Sequence, residues 1–257
     1  MIRLSVNINK IATLRNSRGG ELPDVVHAAR LCVAAGAAGI TVHPRADQRH
    51  IRPGDVHALQ SAFANDWGER LEYNIEGDPR PDWLDLVHAV RPQQATLVPV
   101  RPGEVTSEAG WDSTTDLVEL RAIVRRLQAQ KIRVSVFIDA QLSAVELAQS
   151  VGADRVELYT EPFADAFVEG GDTLRNSFDR YCEVARAAHA LGLGINAGHD
   201  LNLENLRVFR TLPYLDEVSI GHALISHALD VGMTAAVKDY LAALTGAALT
   251  GTAPAGK

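Results

Sequence analysis

The feature that most constrains this chain is a repeated unit. A short apolar run that reads as a buried strand is followed by an amphipathic helical run, eight times over 257 residues. The strands are read near Leu4–Ile8, Gly39–His43, Arg70–Glu76, Gln94–Pro99, Arg133–Ile138, Arg155–Tyr159, Gly194–Ala197 and Glu217–Ile220. They are short, and several are rich in Val and Ile, as strands covered on both faces tend to be. The helical runs are Asp24–Ala35, Asp55–Asn65, Trp83–Val90, Thr115–Ala129, Ala144–Val151, Ser177–Leu191, Leu203–Arg210 and Ala228–Leu244. Asp24 follows Pro23 and can cap its helix, while Gly36, Gly152 and Gly192 stop theirs. Strands alternating with helices build a parallel sheet, and eight such units in about 250 residues are the usual size of a (β/α)8 barrel. The competing open, doubly wound sheet carries a glycine fingerprint after its first strand, and Asn7-Ile8-Asn9-Lys10 contains no glycine. The expected fold is therefore an α/β TIM barrel forming one domain over residues 1–244. A flexible tail, rich in Gly, Ala and Thr, is expected over 245–257.

Composition narrows the class. At 46% hydrophobic and 22% charged residues, the chain can bury one large core. It has no apolar stretch of the roughly 18 to 20 residues needed to span a membrane. The opening Met1-Ile2-Arg3-Leu4 runs straight into the first strand and leaves no room for a signal peptide. Two cysteines, Cys32 and Cys182, both in expected helices, suit a reduced, cytoplasmic protein. A net charge of −7 argues against nucleic acid or an anionic membrane as partner. Yet Lys10, Arg15, Arg18, Arg45, Arg49 and Arg52 all lie early in the chain. Such a cluster suits a small anionic ligand as well as it suits a solvated basic surface.

Reactive side chains stand where strands end, and in this fold the strand carboxyl ends share one mouth. After the first strand, Asn7 and Asn9 can each donate and accept, and Lys10, Arg15 and Arg18 follow in a polar loop closed by Gly19-Gly20. Those arginines suit either paired donation to a phosphate or an ordinary surface turn. His43 ends the second strand, with Arg45 and His50 close behind, a set able to move protons near neutrality or, with an Asp nearby, to hold a metal. Glu76 ends the third strand, where burial would lift its pKa into the range of a general base. Glu157 lies inside an apolar strand and should point inward, as a functional group or as the partner of a buried arginine. Asn196-Ala197-Gly198-His199 and Ser219-Ile220-Gly221-His222 close the last two strands, where small residues and a helix start favour phosphate. The only lysines are Lys10, Lys131, Lys238 and Lys257. Of these, Lys10 alone could reach the mouth for Schiff-base chemistry, so acid–base chemistry by His and Glu is favoured. The connections Val100–Ser113 and Thr160–Arg175 are long enough to be functional, the first as a lid.

These residues carry a resemblance. Val6-Asn7-Ile8 with Ile11-Ala12-Thr13-Leu14-Arg15-Asn16, Gly39-Ile40-Thr41-Val42-His43 with Arg49-His50-Ile51, Asn74-Ile75-Glu76, Leu97-Val98-Pro99, Glu104-Val105-Thr106, Phe137-Ile138-Asp139-Ala140, Asn196-Ala197-Gly198-His199 and Ile220-Gly221-His222-Ala223 together resemble the pyridoxine 5′-phosphate synthase family. The resemblance runs from the first strand to the last helix. It implies a barrel with extra helices and a homo-octameric assembly. It also implies condensation of 1-deoxy-D-xylulose 5-phosphate with 3-amino-2-oxopropyl phosphate, without metal or organic cofactor. It makes His43 and Glu76 proton acceptors, His199 a proton donor and Glu157 a stabiliser of transition states. Asn7, Asp200, Gly221 and His222 correspond to binding of the amino ketone phosphate. Asn9, Lys10, Arg45, His50 and Thr106 correspond to binding of the deoxyxylulose phosphate, and Arg18 matches a further binding arginine. Three departures from the pattern matter: Asn9-Lys10 replaces a common Asp-His, Asp200 a common glycine, and Glu161 another glycine. The alternatives kept open are a metal-dependent hydrolase using His43, His50, His199 and His222, and a non-catalytic phosphosugar-binding barrel.

Overall fold

The computed structural model describes residues 1–99, 109–112 and 115–247. Eight parallel strands close into a barrel in simple sequence order, the last pairing back onto the first. They are β1 (Arg3–Asn7), β2 (Gly39–Val42), β3 (Glu72–Gly77), β4 (Gln94–Leu97), β5 (Arg133–Ile138), β6 (Arg155–Tyr159), β7 (Gly194–Gly198) and β8 (Leu215–Ile220). Between them run α1 (Asn9–Asn16), α2 (Val25–Ala35), α3 (Pro53–Ala62), α4 (Pro81–Val90), α5 (Leu117–Gln128) and α6 (Leu142–Val151). The second half adds α7 (Glu161–Glu169), α8 (Gly171–Ala190), α9 (Leu206–Phe209), α10 (His222–Val231) and α11 (Met233–Thr245). No helix among the described residues is long and apolar enough to cross a membrane.

The expected barrel is the observed one, with differences at its connections. The polar loop after β1 holds helix α1, and Thr160–Arg175 is helical through α7 and the start of α8. Pro162 in the first turn of α7 has a fitting φ and gives up an N–H that has no helical partner there. The final helix is two, parted at Gly232, whose φ of 85° lies in the left-handed region. Helix α9 is a single turn, shorter than Leu203–Arg210. Asp24 caps α2 through Val26 and His27, and Gly36 and Gly152 end α2 and α6 in the left-handed conformation.

The strands are covered on both faces, but the two faces differ. Outward residues such as Leu4, Val6, Ile40, Val42, Ile75 and Val136 are fully buried under the helices. Alternate residues of the same strands are polar and hydrogen-bond across the barrel. Ser5 Oγ meets Thr41 Oγ1 at 2.7 Å, Asn74 Nδ2 donates to Thr41 Oγ1 at 3.3 Å, and Thr96 Oγ1 donates to Asn74 Oδ1 at 3.0 Å. Toward the strand amino ends the interior is ionic: Glu72 takes Arg3 at 3.2 Å and also Arg133, and Arg155 donates to Asn196 Oδ1 at 2.6 Å. Burial and the neighbouring Glu72 raise the pKa of Glu217 well above the carboxylate range. A polar residue at every second position of the strands was the available signal for this lining. The runs of Val and Ile drew attention to the other face.

Arg15 is neither a phosphate grip nor a surface residue. It is buried on α1, bonded to both oxygens of Asp55 at the start of α3, and also donates to the His50 carbonyl. Its neighbour Asn16 donates to the same carbonyl at 2.8 Å. Removing one partner of a largely buried pair strands the other charge. Arg15→Ala should therefore lower unfolding free energy by about 3 kcal/mol, read as a reduced urea midpoint at unchanged slope.

Candidate active site

At the barrel mouth, β1, β2 and β3 are joined by a circuit of side-chain amides. The Asn9 N–H donates to Asn7 Oδ1 at 3.0 Å, and the His43 N–H donates to Asn9 Oδ1 at 2.9 Å. Asn7 Nδ2 reaches Glu76 Oε2 at 3.4 Å, and His43 Nδ1 lies 3.9 Å from that same oxygen. The side chain of Asn9 thus fixes the backbone of a candidate base, which an asparagine does without adding charge. His43 is 6% exposed, and its Nε2 is buried without a partner. Burial lowers its pKa well below 6.5, with the neighbouring His50 and Arg45 acting in the same direction. It is a neutral base at pH 7. Burial alone pushes the Glu76 carboxyl up to about 8.

His50 stands edge-on to His43, ring centroids 6.1 Å apart. Its Nδ1 accepts the Ile51 N–H at 2.9 Å, so the neutral ring carries its proton on Nε2. Burial, reinforced by Arg45, takes its pKa down to about 4. Arg45 is buried, Lys10 on α1 is half-buried, and the charges of both are felt at His50.

Across the mouth, β6 and β7 supply the other half. His199 adopts φ 87°, a conformation rare for any residue but glycine. There its ring packs on Phe137 at 4.8 Å and edge-on against Tyr159 at 5.4 Å. This apolar seat lowers its pKa, while Asp200 pulls the other way. Glu157 is 1% exposed and Oε2 has no partner. The arginine its burial suggested is engaged elsewhere, Arg155 being bonded to Asn196. Burial first, then Glu76, raises the Glu157 pKa well above 4.5. Gly198 leaves it room, because a Cβ there would stand 2.3 Å from Glu157 Oε1.

The remaining expected residues vary in placement. Gly221 precedes α10, and a Cβ on it would meet Asn7 atoms at 3.1 Å, so that glycine lets β8 approach β1. His222 opens α10 and is exposed, as are Asp200 and Arg18. Asp200 turns its carbonyl to Asn205 Nδ2 at 2.9 Å. Thr106 and most of Val100–Ser113, read as a lid, lie outside the described residues. The end of that connection returns through Gly110 and Trp111, whose indole donates to the Leu97 carbonyl at 2.9 Å. Among the described residues, no group of three or more His, Cys, Asp or Glu is arranged to hold a metal ion.

Fold and mouth together define a (β/α)8 barrel with a buried acid–base centre at the strand carboxyl ends. The chain belongs to the family described as pyridoxal phosphate biosynthesis protein PdxJ, which matches residues 4–246. A protein of Porphyromonas gingivalis named pyridoxine 5′-phosphate synthase is 50% identical over 241 residues, covering 93% of this chain and 98% of its own length. A Leptospira biflexa protein of the same name is 48% identical over 255 residues, covering 95% and 98%. Solved barrels share the fold alone. The 3-hexulose-6-phosphate synthase of Salmonella typhimurium has a TM-score of 0.64 at 14% identity, covering 95% of this chain and 99% of that one. Phosphoribosyl anthranilate isomerase of Thermus thermophilus has a TM-score of 0.57 at 15% identity, covering 95% and 99%.

The raised carboxyl predicts a pH dependence. Between its ordinary value of 4.5 and about 8, an unfolded Glu76 loses its proton while the folded one keeps it. Stability from this group is thus full at low pH, declines as pH rises through that window, and levels off above it. Glu76→Gln should match the parent near pH 4 and exceed it near pH 9 by up to roughly 5 kcal/mol, measured by denaturant titration at both pH values.

Proposed function

We propose that this chain performs its family's reaction, the making of pyridoxine 5′-phosphate, with His43 and Glu76 as proton acceptors and His199 as proton donor. The substrates are 1-deoxy-D-xylulose 5-phosphate and 3-amino-2-oxopropyl phosphate. The observation that carries the reading is the pairing of His43 with Glu76. They sit 3.9 Å apart, both are buried, and both are biased toward their neutral forms. A neutral imidazole beside a carboxyl poised near 8 can take and return protons at cellular pH.

The substrate amine adds to the deoxyxylulose carbonyl, and the carbinolamine loses its hydroxyl as water to give an imine. Neutral His43, or Glu76 in its ionised form, removes the carbon-bound and nitrogen-bound protons. His199 donates to departing water or to a carbonyl oxygen, passing on a proton taken up earlier and returning to the neutral ring its aromatic seat favours. Loss of phosphate, addition of water, an aldol-type closure and the loss of two further waters complete the aromatic ring, so that the overall balance is one phosphate and two waters released. Aromatisation drives the sequence, so the protein chiefly orients partners and orders proton transfers. Glu157 in its neutral form donates a hydrogen bond where negative charge develops.

Asn7, the Asp200 backbone and Gly221-His222 take the amino ketone phosphate. Arg45, His50, Lys10 and Thr106 take the deoxyxylulose phosphate, with Arg18 as a further cation. With His50 Nδ1 already engaged, its Nε2 proton is the one available to a phosphate oxygen. The Asn9 side chain is committed to the His43 N–H, so Asn9 acts by positioning. A cytoplasmic homo-octamer without metal or organic cofactor completes the proposal.

The test is to mix both substrates and follow the absorbance of pyridoxine phosphate. The parent should form product, and Glu76→Gln and His199→Asn should each lose about a hundredfold or more in kcat. Substrate binding without product would point to a phosphosugar-binding barrel. Stoichiometric zinc with activity abolished by a chelator would point to a metal-dependent hydrolase.

A further inference from the structure

The backbone at Glu76 contains a break in the sheet that a side chain repairs. In the β2–β3 ladder the Glu72 N–H donates to the Ala38 carbonyl, and Thr41 and Val42 stand opposite Asn74 and Ile75. Parallel ladders repeat every second residue. Carried forward, this register aims the N–H of residue 44 at the Glu76 carbonyl. Residue 44 is proline and has no N–H. On the opposite edge the sheet continues, with the Val98 N–H donating to the Gly77 carbonyl at 2.9 Å. The Glu76 carbonyl is instead met by the indole of Trp83 on α4, Nε1 to O 3.0 Å. Trp83 is fully buried. It can lie there because residue 77 is glycine: a Cβ at that position would stand 2.2 Å from the indole nitrogen. Arg80, one residue before α4, ties the same corner to β2, donating to the Pro44 carbonyl at 2.8 Å while held by Asp78 at 2.5 Å and Asp82 at 2.9 Å.

We propose that Trp83 is a positioning residue for Glu76, its indole N–H standing in for the strand donor that Pro44 cannot supply. Pro44, Gly77 and Trp83 then work as one unit. The proline opens the ladder, the glycine admits the ring, and the ring pins the end of β3 so that the Glu76 carboxyl stays beside His43. The inference rests on Glu76 acting as the proton acceptor.

Trp83→Phe keeps most of the ring and removes the donor. It should retain its fold by circular dichroism and keep KM for both substrates within about twofold, while kcat falls about tenfold, as for a small misplacement of a reacting group. Its acid limb in kcat should move down by about one pH unit, because a loosened carboxylate reaches water. Pro44→Ala added to Trp83→Phe restores a backbone N–H at the vacant ladder position and should recover part of kcat, which a purely structural role for the indole would not allow. Should Trp83→Phe fail to fold, incorporating 3-benzothienylalanine at position 83 replaces the N–H by sulfur at nearly constant shape, with the same expected outcome. An inactive Glu76→Gln alongside a Trp83 variant of unchanged kcat and pH profile would overturn the inference alone. A fully active Glu76→Gln would overturn the reading beneath it.

Discussion

Everything at this mouth depends on one constraint: a closed barrel of parallel strands turns every second residue inward, and here most of those residues are polar. Inward hydroxyls, amides and charges have no water to satisfy them and must find one another. Many of them do so, in tiers. Arg3, Glu72 and Arg133 share charge toward the strand amino ends, Ser5, Thr41, Asn74 and Thr96 hydrogen-bond above them, and the Asn7, Asn9, His43 and Glu76 circuit lies at the carboxyl ends. Outward residues supply the apolar packing against the helices, so fold stability and site polarity are assigned to opposite faces of the same strands. The site can hold ionisable groups out of water because the interior beneath it is not an oily plug.

That arrangement explains the direction of the shifts. His43, His50 and His199 are all moved toward the neutral ring, and Glu76 and Glu157 toward the neutral acid. Burial is the first cause in each case. A set of bases and acids that rest neutral can exchange protons with a substrate without first separating charge. The charges of Arg45 and Lys10 are felt at this cluster, Arg45 at both His43 and His50 and Lys10 at His50, which in the proposed reaction sets cations where phosphate-bearing substrates would bring negative charge.

Much of this was legible in the chain. The eight strand–helix units, and His43, Glu76 and His199 at strand ends, follow from apolar runs and what stops them. What the residues alone could not disclose depends on distances across the fold. Arg15 read as a loop cation because Asp55 lies 40 positions away and on another helix. Asn9 read as a ligand contact, whereas the β1–β2 register gives its oxygen to His43. The aromatic seat of His199 comes from β5 and β6, and the unusual φ that delivers the ring to it has no signature in Gly198-His199-Asp200. The polar alternation along the strands was visible and marks the one place where closer reading would have added residues: Arg3, Glu72, Arg133, Arg155 and Glu217.

The amide circuit has a consequence for how such a protein can be assembled or divided. Asn7, His43 and Glu76 come from the first three strands, Glu157 and His199 from the sixth and seventh, and Gly221 follows the eighth and touches Asn7. No contiguous half of the chain contains the site, and the contact between Gly221 and Asn7 exists only once the last strand has met the first. On the proposed assignment, the site is therefore complete only once the ring has closed. A split fragment would carry only part of the proposed site, whose assembly reports that the two ends of the chain have met at the β1–β8 pair.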